Sequence, residues 1–377
     1  MQLNDQIKTV IEGSTKILVH EQSLTSKVPP QDMPFFNPKA KLSRDLSIIA
    51  YSAFLKNFEG PKTFLDSMAS LGARGLRVAN EIKNIKVFVN DLNPSALELA
   101  RRSADLNGLK NFETSENEVC QFLSAFSKRG CRSTIVDIDP FGSPSKYIDC
   151  GVRATLHKGL LSVTATDLQV LHGIFKDACR KKYYGVPIKT TYSNEISTRL
   201  VLGLVNMVAA RLDAEITPVF VETNMHYYRI YVRVLNRPDT QNAIGYIIHC
   251  RTCGHREASS EPADCRLCGS KTEHAGPLWI GKLFEKEFVS SMQGEITDTA
   301  DKKCAKIIER CLAESDMPAC YYTLDEIAEM NGSSPIPMVQ VLKRLQEDGF
   351  LSSPTAFNPT GFRTDATINK IREIFSS

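Results

Sequence analysis

The chain has 377 residues, a formal charge of +3, 42% hydrophobic residues and 24% charged ones. That is ordinary globular composition, long enough for two domains and for a full core without disulfide staples. No apolar run reaches the ~18 residues of a membrane span, and MQLNDQIKTV lacks the apolar stretch of a signal peptide, so a cytoplasmic protein is expected.

Residues 1–45 read as a polar leader ending in FFNPKAKLSRD. Leu46, Ile49, Ala50, Ala53 and Phe54 then set a helical period that runs to Phe58. Beyond it, short apolar runs alternate with longer amphipathic stretches. Thr63–Leu65 is a predicted strand ending at Asp66, and Val87–Val89 one ending at Asn90-Asp91. Pro94 to Asn107 is a predicted helix with proline in its first turn. Thr134–Ile138 is a strand running into Asp139-Pro140, and Leu160–Thr166 a strand ending at Asp167. This alternation predicts an α/β fold, a mostly parallel sheet covered on both faces. Ligands of such sheets sit at the carboxyl ends of the strands, near the reversal of strand order. Acids at four strand ends predict a polar pocket along one rim. Ser197–Leu212 reads as a packing helix. Val219–Val221 and Tyr228–Val234 are expected to close the sheet as an antiparallel pair. Residues 280–377 read as a second, α+β domain. In it, helices Asp325–Met330 and Pro337–Glu347 flank the turn Asn331-Gly332, and hairpin-like GFLSSPTAFNPTGF comes after them, a winged-helix-like order.

At the cofactor end, Gly72-Ala73-Arg74-Gly75 follows Asp66 and opens a helix. Its glycines allow close backbone approach, but the pattern matches neither a dinucleotide fingerprint nor a phosphate-binding loop. Arg74 could meet a carboxylate, such as that of S-adenosylmethionine. Asp91 stands 19 residues after Gly72, near the offset at which an acid reaches ribose hydroxyls. A surface turn and a helix-capping acid are the plainer alternatives for each feature alone. Their order together favours a nucleoside-bearing cofactor.

VDIDPFGSP is the most informative stretch. An apolar strand delivers Asp139 to the rim. Pro140 has no N–H and offers only its carbonyl, Phe141 offers a flat face, and Gly142 permits a sharp turn. An amine conjugated to an aromatic ring is a poor nucleophile, because its lone pair is delocalised. A carboxylate and a carbonyl accepting its two N–H bonds would localise that pair, and Asp139 could take the released proton. A Pro-Gly turn with a capping Asp is the bland alternative.

Four of the 11 cysteines form Cys250-x2-Cys253 and Cys265-x2-Cys268, two knuckles 11 residues apart. They are expected to hold one structural zinc through four thiolates, which leaves no open position for catalysis. His249 and His255 are expected to be bystanders, and the other seven cysteines reduced. Arg180-Lys181-Lys182-Tyr183-Tyr184 either binds RNA phosphates and stacks on bases or is a solvated helix end.

EGSTKI (Glu12 to Ile17), FFNPKAKLSRDLS (Phe35 to Ser47), DSMASLGARGLR (Asp66 to Arg77), NDLNPSA (Asn90 to Ala96), DIDPFGSP (Asp137 to Pro144) and GPLWIGKL (Gly276 to Leu283) carry a further reading. Together they resemble the tRNA guanine-26 N2-dimethyltransferase family over nearly the whole chain. The resemblance implies a Rossmann-like, S-adenosylmethionine-dependent methyltransferase domain over 1–279, including the leader and a zinc ribbon at about 246–275. A family-specific domain would occupy 280–377. It implies one or two methyl transfers to N2 of guanine 26 in tRNA, with no membrane and no obligatory protein partner. The family's cofactor arginines fall on Arg44 and Arg74, its ribose acid on Asp91 and its catalytic acid on Asp139, with Pro140 and Phe141 beside it. Where many members carry Asp-Ala-Asn near the adenine, this chain has Glu118-Val119-Cys120, and Ser43 stands where many have Asn. One alternative is an enzyme methylating adenine N6 or glutamine through a related Asp/Asn-Pro-Pro-aromatic segment. Phe141 in place of the second proline argues against it. Another is a zinc-ribbon and winged-helix DNA-binding regulator, which leaves residues 35–167 without a role.

Overall fold

The computed structural model describes residues 7–25, 34–237 and 243–376. The described residues begin with a hairpin of β1 (Ile7–Glu12) and β2 (Thr15–His20), then α1 (Glu21–Thr25), where the sequence reads only as a polar leader. Gly13 at φ +58° makes the turn, and Ile17 and Val19 alternate inward to pack on Leu76, Leu99 and Ala104. That alternation is short and comes after a polar start, so the strand pattern is weak in the sequence.

Helix α2 (Lys41–Lys56) begins five residues before the expected Leu46. The doubly wound part comes next: β3 (Lys62–Asp66), α3 (Ala73–Glu81), β4 (Ile85–Asn90), α4 (Pro94–Leu106), β5 (Phe112–Ser115), α5 (Val119–Ala125), β6 (Ser133–Ile138), α6 (Ile148–Ala154) and β7 (Thr155–Ala165). Asn93 caps α4 by accepting from the N–H groups of Ser95 and Ala96, and Pro94 fits the first turn because no N–H is needed there. β6 is buried along its whole length, as befits a central parallel strand, and it carries the polar Ser133, Thr134 and Asp137 inside with it. β7 starts at Thr155, earlier than the expected Leu160.

After α7 (Leu168–Leu171), α8 (Lys176–Tyr183) and the buried α9 (Ser193–Ala210), β8 (Glu215–Asn224) and β9 (Tyr227–Leu235) form the expected antiparallel pair. They complete a seven-stranded sheet in the order β5-β4-β3-β6-β7-β9-β8. β5, β4, β3, β6 and β7 run parallel, and β9 is antiparallel to β7. Strand order reverses at β3, between β4 and β6.

A three-stranded ribbon of β10 (Ile244–His249), β11 (Arg256–Ser259) and β12 (Glu273–Trp279) comes next. α10 (Lys286–Gln293) and α11 (Lys303–Ala313) pack into the main core. A second core begins at Tyr322. It is built from β13 (Tyr322–Thr323), α12 (Leu324–Asn331), α13 (Met338–Glu347), β14 (Ser352–Pro354), β15 (Gly361–Thr364) and α14 (Ile368–Ser376). Arg256 of the ribbon joins the two cores. Its guanidinium lies 4.4 Å from the Tyr192 ring and 4.2 Å from that of Tyr322, and it pairs with Glu326 at 2.5 Å. No helix among the described residues is long and apolar enough to cross a membrane.

Candidate active site

The loop after β3 lies at the reversal of strand order, where a doubly wound sheet opens a crevice. Ser67 is tied to β6 through its N–H and hydroxyl, both donated to the Asp137 carbonyl at 3.1 and 2.6 Å. Gly72, at φ +75°, turns the chain into α3. A Cβ on Gly75 would stand 2.5 Å from the Val89 side chain, so only glycine lets α3 lie this close to β4. Asp91 accepts from the Ser70 N–H at 2.7 Å and the Asn93 N–H at 2.9 Å, one on each oxygen. Each oxygen keeps a second lone pair for a hydroxyl.

Arg74 does more than its place in the sequence suggests. Its Nη1 donates to Asp137 at 2.9 Å and to Asp139 at 2.7 Å, so the guanidinium bridges two carboxylates of the β6 end. Its Nε is buried without a hydrogen-bond partner. Asp137 is held from the other side by Arg229, fully buried, at 2.9 Å, and by the Ser162 hydroxyl at 3.1 Å. Burial pushes the Asp139 carboxyl up, but the charges of Arg74 and Arg229 outweigh it and hold the group below its usual range. Asp139 is therefore ionised at neutral pH, with about 30% of its side chain exposed. Asp66 behaves oppositely. Burial and the neighbouring Asp137 charge push it up to about 7.

The turn after Asp139 is clamped to the end of β7. The Gly142 N–H donates to the Thr166 hydroxyl at 2.6 Å, and the Thr166 N–H to the Gly142 carbonyl at 2.9 Å. Ser143 and Tyr183 share a hydroxyl bond at 3.0 Å, and Tyr183 donates to Asp167 at 2.5 Å. Tyr183 is thus buried structural support rather than a stacking platform, whereas Tyr184 is exposed. Pro140 is buried and the Phe141 ring is 76% exposed. Phe35 stands 6.4 Å from Phe141, centroid to centroid, and its carbonyl accepts from the Ser70 hydroxyl at 3.0 Å. Sequence reasoning missed Phe35. Its only signal was an adjacent phenylalanine pair in an otherwise polar segment.

Arg44 is buried and bidentate to Glu12, at 2.7 and 2.6 Å, with a third bond to the Asn37 carbonyl at 2.9 Å. Glu118 caps α5 through one oxygen, accepting from Cys120 N–H at 2.7 Å and Gln121 N–H at 3.1 Å, and Val119 is buried behind it. Of the four strand-end acids, Asp66 and Asp139 flank Arg74, Asp91 joins them through the Ser67–Gly72 loop, and Asp167 belongs to the Tyr183 clamp.

Glu222 was not foreseen. On β8 it pairs in register with Arg229, which pairs with Thr164 of β7, on the face that α2 covers. The Ser43 hydroxyl donates to one oxygen at 2.6 Å, and the other is buried without a partner. Burial pushes this acid up to about 7, against the pull of Arg229. A carboxyl raised above its unfolded value stabilises the fold at low pH, and that contribution is lost as pH rises through the folded value. Glu222→Gln should therefore raise Tm at pH 8 more than at pH 6. The difference from the ordinary value, 4.5 against about 7, is worth up to about 3 kcal/mol. Equal shifts in scanning calorimetry at both pH values would refute the assignment.

Residues 13–376 match the family of N2,N2-dimethylguanosine tRNA methyltransferases. The chain belongs to this family. A relative in Methanobrevibacter smithii, named tRNA (guanine(26)-N(2))-dimethyltransferase, is 35% identical, with 99% of this chain and 98% of the relative aligned. A namesake from Methanothermobacter thermautotrophicus is 33% identical, with 98% of each chain aligned. Among solved structures, the complex of Trm1 from Pyrococcus horikoshii with S-adenosyl-L-methionine superposes with a TM-score of 0.84 at 27% identity, covering 97% of this chain and 99% of that one.

In this family member the cysteine knuckles converge. The sulfur atoms of Cys250, Cys253, Cys265 and Cys268 all lie within 4.8 Å of one another. Cys250–Cys268 and Cys253–Cys265 stand 3.5 and 3.6 Å apart. Four thiolates bound tetrahedrally at about 2.3 Å from zinc would be about 3.8 Å apart, so the donor set fits that metal. His249 instead bonds the Tyr192 hydroxyl at 2.9 Å, and His255 faces Glu257 at 3.2 Å. Cys253→Ser should release the zinc and lower Tm by about 5 °C or more. Metal analysis finding none in the wild type would refute the zinc assignment. One cysteine expectation is corrected: Cys120 and Cys150 form a disulfide, because α5 and α6 pack side by side and bring their Cα atoms to 5.5 Å.

Proposed function

We propose that this chain transfers one or two methyl groups from S-adenosylmethionine to the N2 amine of guanine 26 in tRNA. The observation that carries the proposal is the ionised, partly exposed Asp139, held by Arg74 beside Pro140 and the exposed Phe141 ring. The names borne by the relatives supply guanine 26 and tRNA as the substrate.

The residues present fit the cofactor. The unpartnered Nε–H of Arg74 is a buried donor that a carboxylate would satisfy. Asp91 has lone pairs for ribose hydroxyls, and Arg44, Glu118 and Val119 complete the set proposed to hold the carboxylate and the adenine. When bound, S-adenosylmethionine supplies an electrophilic methyl group on a sulfonium. Asp139 and the Pro140 carbonyl accept the two N–H bonds of the guanine amine and turn its lone pair out of conjugation. Phe141 and Phe35 flank the flat base. Taking up that methyl group, with the neutral thioether left behind, would make the amine nitrogen cationic and strongly acidic. Asp139, a weak base through its pairing with Arg74, takes the proton at that late stage. A second transfer needs one N–H, which Asp139 again accepts.

We also read the unit built around the second core as winged-helix-like; of the 280–377 expected for its domain, α10 and α11 belong by packing to the main core instead. The reaction is placed in the cytoplasm, where tRNA resides. Replacing guanine 26 by adenine in a tRNA transcript should lower methyl incorporation about a hundredfold or more, since the site is built to take the amine of one base. An unchanged rate would redirect the substrate assignment.

A further inference from the structure

We propose that Ile174 and Phe175 form a wedge that enters the RNA stack when the target guanine is turned out toward Asp139, while α8 holds the flanking phosphates. The inference rests on the tRNA reading above.

Ile174 is 67% exposed and Phe175 52%, two large apolar side chains side by side on one tip. The tip is not a loose loop. Both backbone N–H groups donate to the Gln169 carbonyl, at 3.0 and 3.4 Å, and Gly173 turns the chain at φ +84°. Contiguous exposed apolar surface marks a contact site. The same segment is anchored to the catalytic turn at both ends. Thr166, just before α7, clamps Gly142, and Tyr183, at the end of α8, bonds Ser143 and Asp167. The eight residues of α8, at about 1.5 Å each, put about 12 Å of helix between the wedge and Tyr183.

Charge selects the partner. Lys176, Arg180 and Lys181 are exposed along α8 behind the wedge; Arg180 is paired with the exposed Asp177 at 3.1 Å, and Lys176 and Lys181 leave the helix face net positive. Protein interfaces are depleted of lysine, whereas phosphates recruit it. A stacked guanine must leave its helix to reach a pocket, and apolar side chains inserted between bases are the recurrent means of offsetting the lost stacking. An Ile-Phe tip, rigidly tied to the turn that receives the base and backed by cations, has the chemistry of such a wedge.

The test compares single-turnover methylation of two tRNA transcripts by wild type and by the Ile174→Ala/Phe175→Ala variant. One transcript is unmodified. In the other, the nucleotide opposite guanine 26 is abasic, so the guanine is already unpaired. The variant should lose about tenfold or more on the first and recover to within about threefold of wild type on the second. Lys181→Ala should lower the slope of log Kd against log salt by about one. Equal loss on both transcripts, or no loss on either, overturns the wedge, as it would if the patch served a protein partner. If the wild type methylates neither transcript, the tRNA reading itself fails.

Discussion

Asp139→Ala should lower the methyl-transfer rate about a thousandfold or more at saturating cofactor, while the Kd for S-adenosylhomocysteine stays within about threefold. The side chain lies at the end of β6, 30% exposed, and is held by a single ion pair to Arg74. Removing it leaves Arg74 still paired with Asp137 at 2.9 Å, so the fold and the cofactor crevice persist. In the proposed role, the loss is of the acceptor that localises the amine lone pair and of the group that receives its proton. Residual turnover above about a tenth of wild type would remove Asp139 from the chemistry, since a positioned acid-base group contributes at least about a hundredfold.

Arg74→Met should destabilise the protein by about 3–5 kcal/mol, the cost of stranding a buried charge, and weaken cofactor binding at least about tenfold. Asp66, Asp137 and Asp139 converge on this one cation, with Arg229 behind them. The sign of the pH dependence is set by Asp139. A carboxyl held below its unfolded value of 3.8 contributes stability above that value and loses it as pH falls through the lowered folded one. Without Arg74 that contribution vanishes. The Tm gap between wild type and variant should be full at pH 7 and shrink below about pH 4. A gap independent of pH, measured by calorimetry, would mean that packing rather than charge explains the loss.

The strand-ending acids were legible because strands buried on both faces read as short apolar runs, here Phe64-Leu65, Val87–Val89 and Ile135-Val136, with acids at or just past their ends. The knuckles were legible because their ligands sit close in sequence. The rest depended on distance along the chain. Arg74 reaches Asp139 across 65 residues and Glu222 reaches Ser43 across 179, pairings that no local pattern encodes. Tyr183 looked like a stacking aromatic beside basic residues, and only the fold turns it inward onto Asp167. Cys120 and Cys150 meet because two helices that are separate in sequence lie side by side. The N-terminal hairpin was lost in polar composition, although it covers α3 and α4 and precedes Phe35. The candidate residues Asp139, Pro140 and Phe141 thus stood out locally, while the electrostatics that set the state of Asp139 came from the fold.

The most direct measurement is mass spectrometry of nucleosides from a tRNA transcript incubated with the purified protein and S-adenosylmethionine. The predicted product is N2-methylguanosine or N2,N2-dimethylguanosine, formed at guanine 26 and absent with Asp139→Ala. A methylated adenosine, a methyl group at another guanine atom, or no methylated nucleoside at all would contradict it.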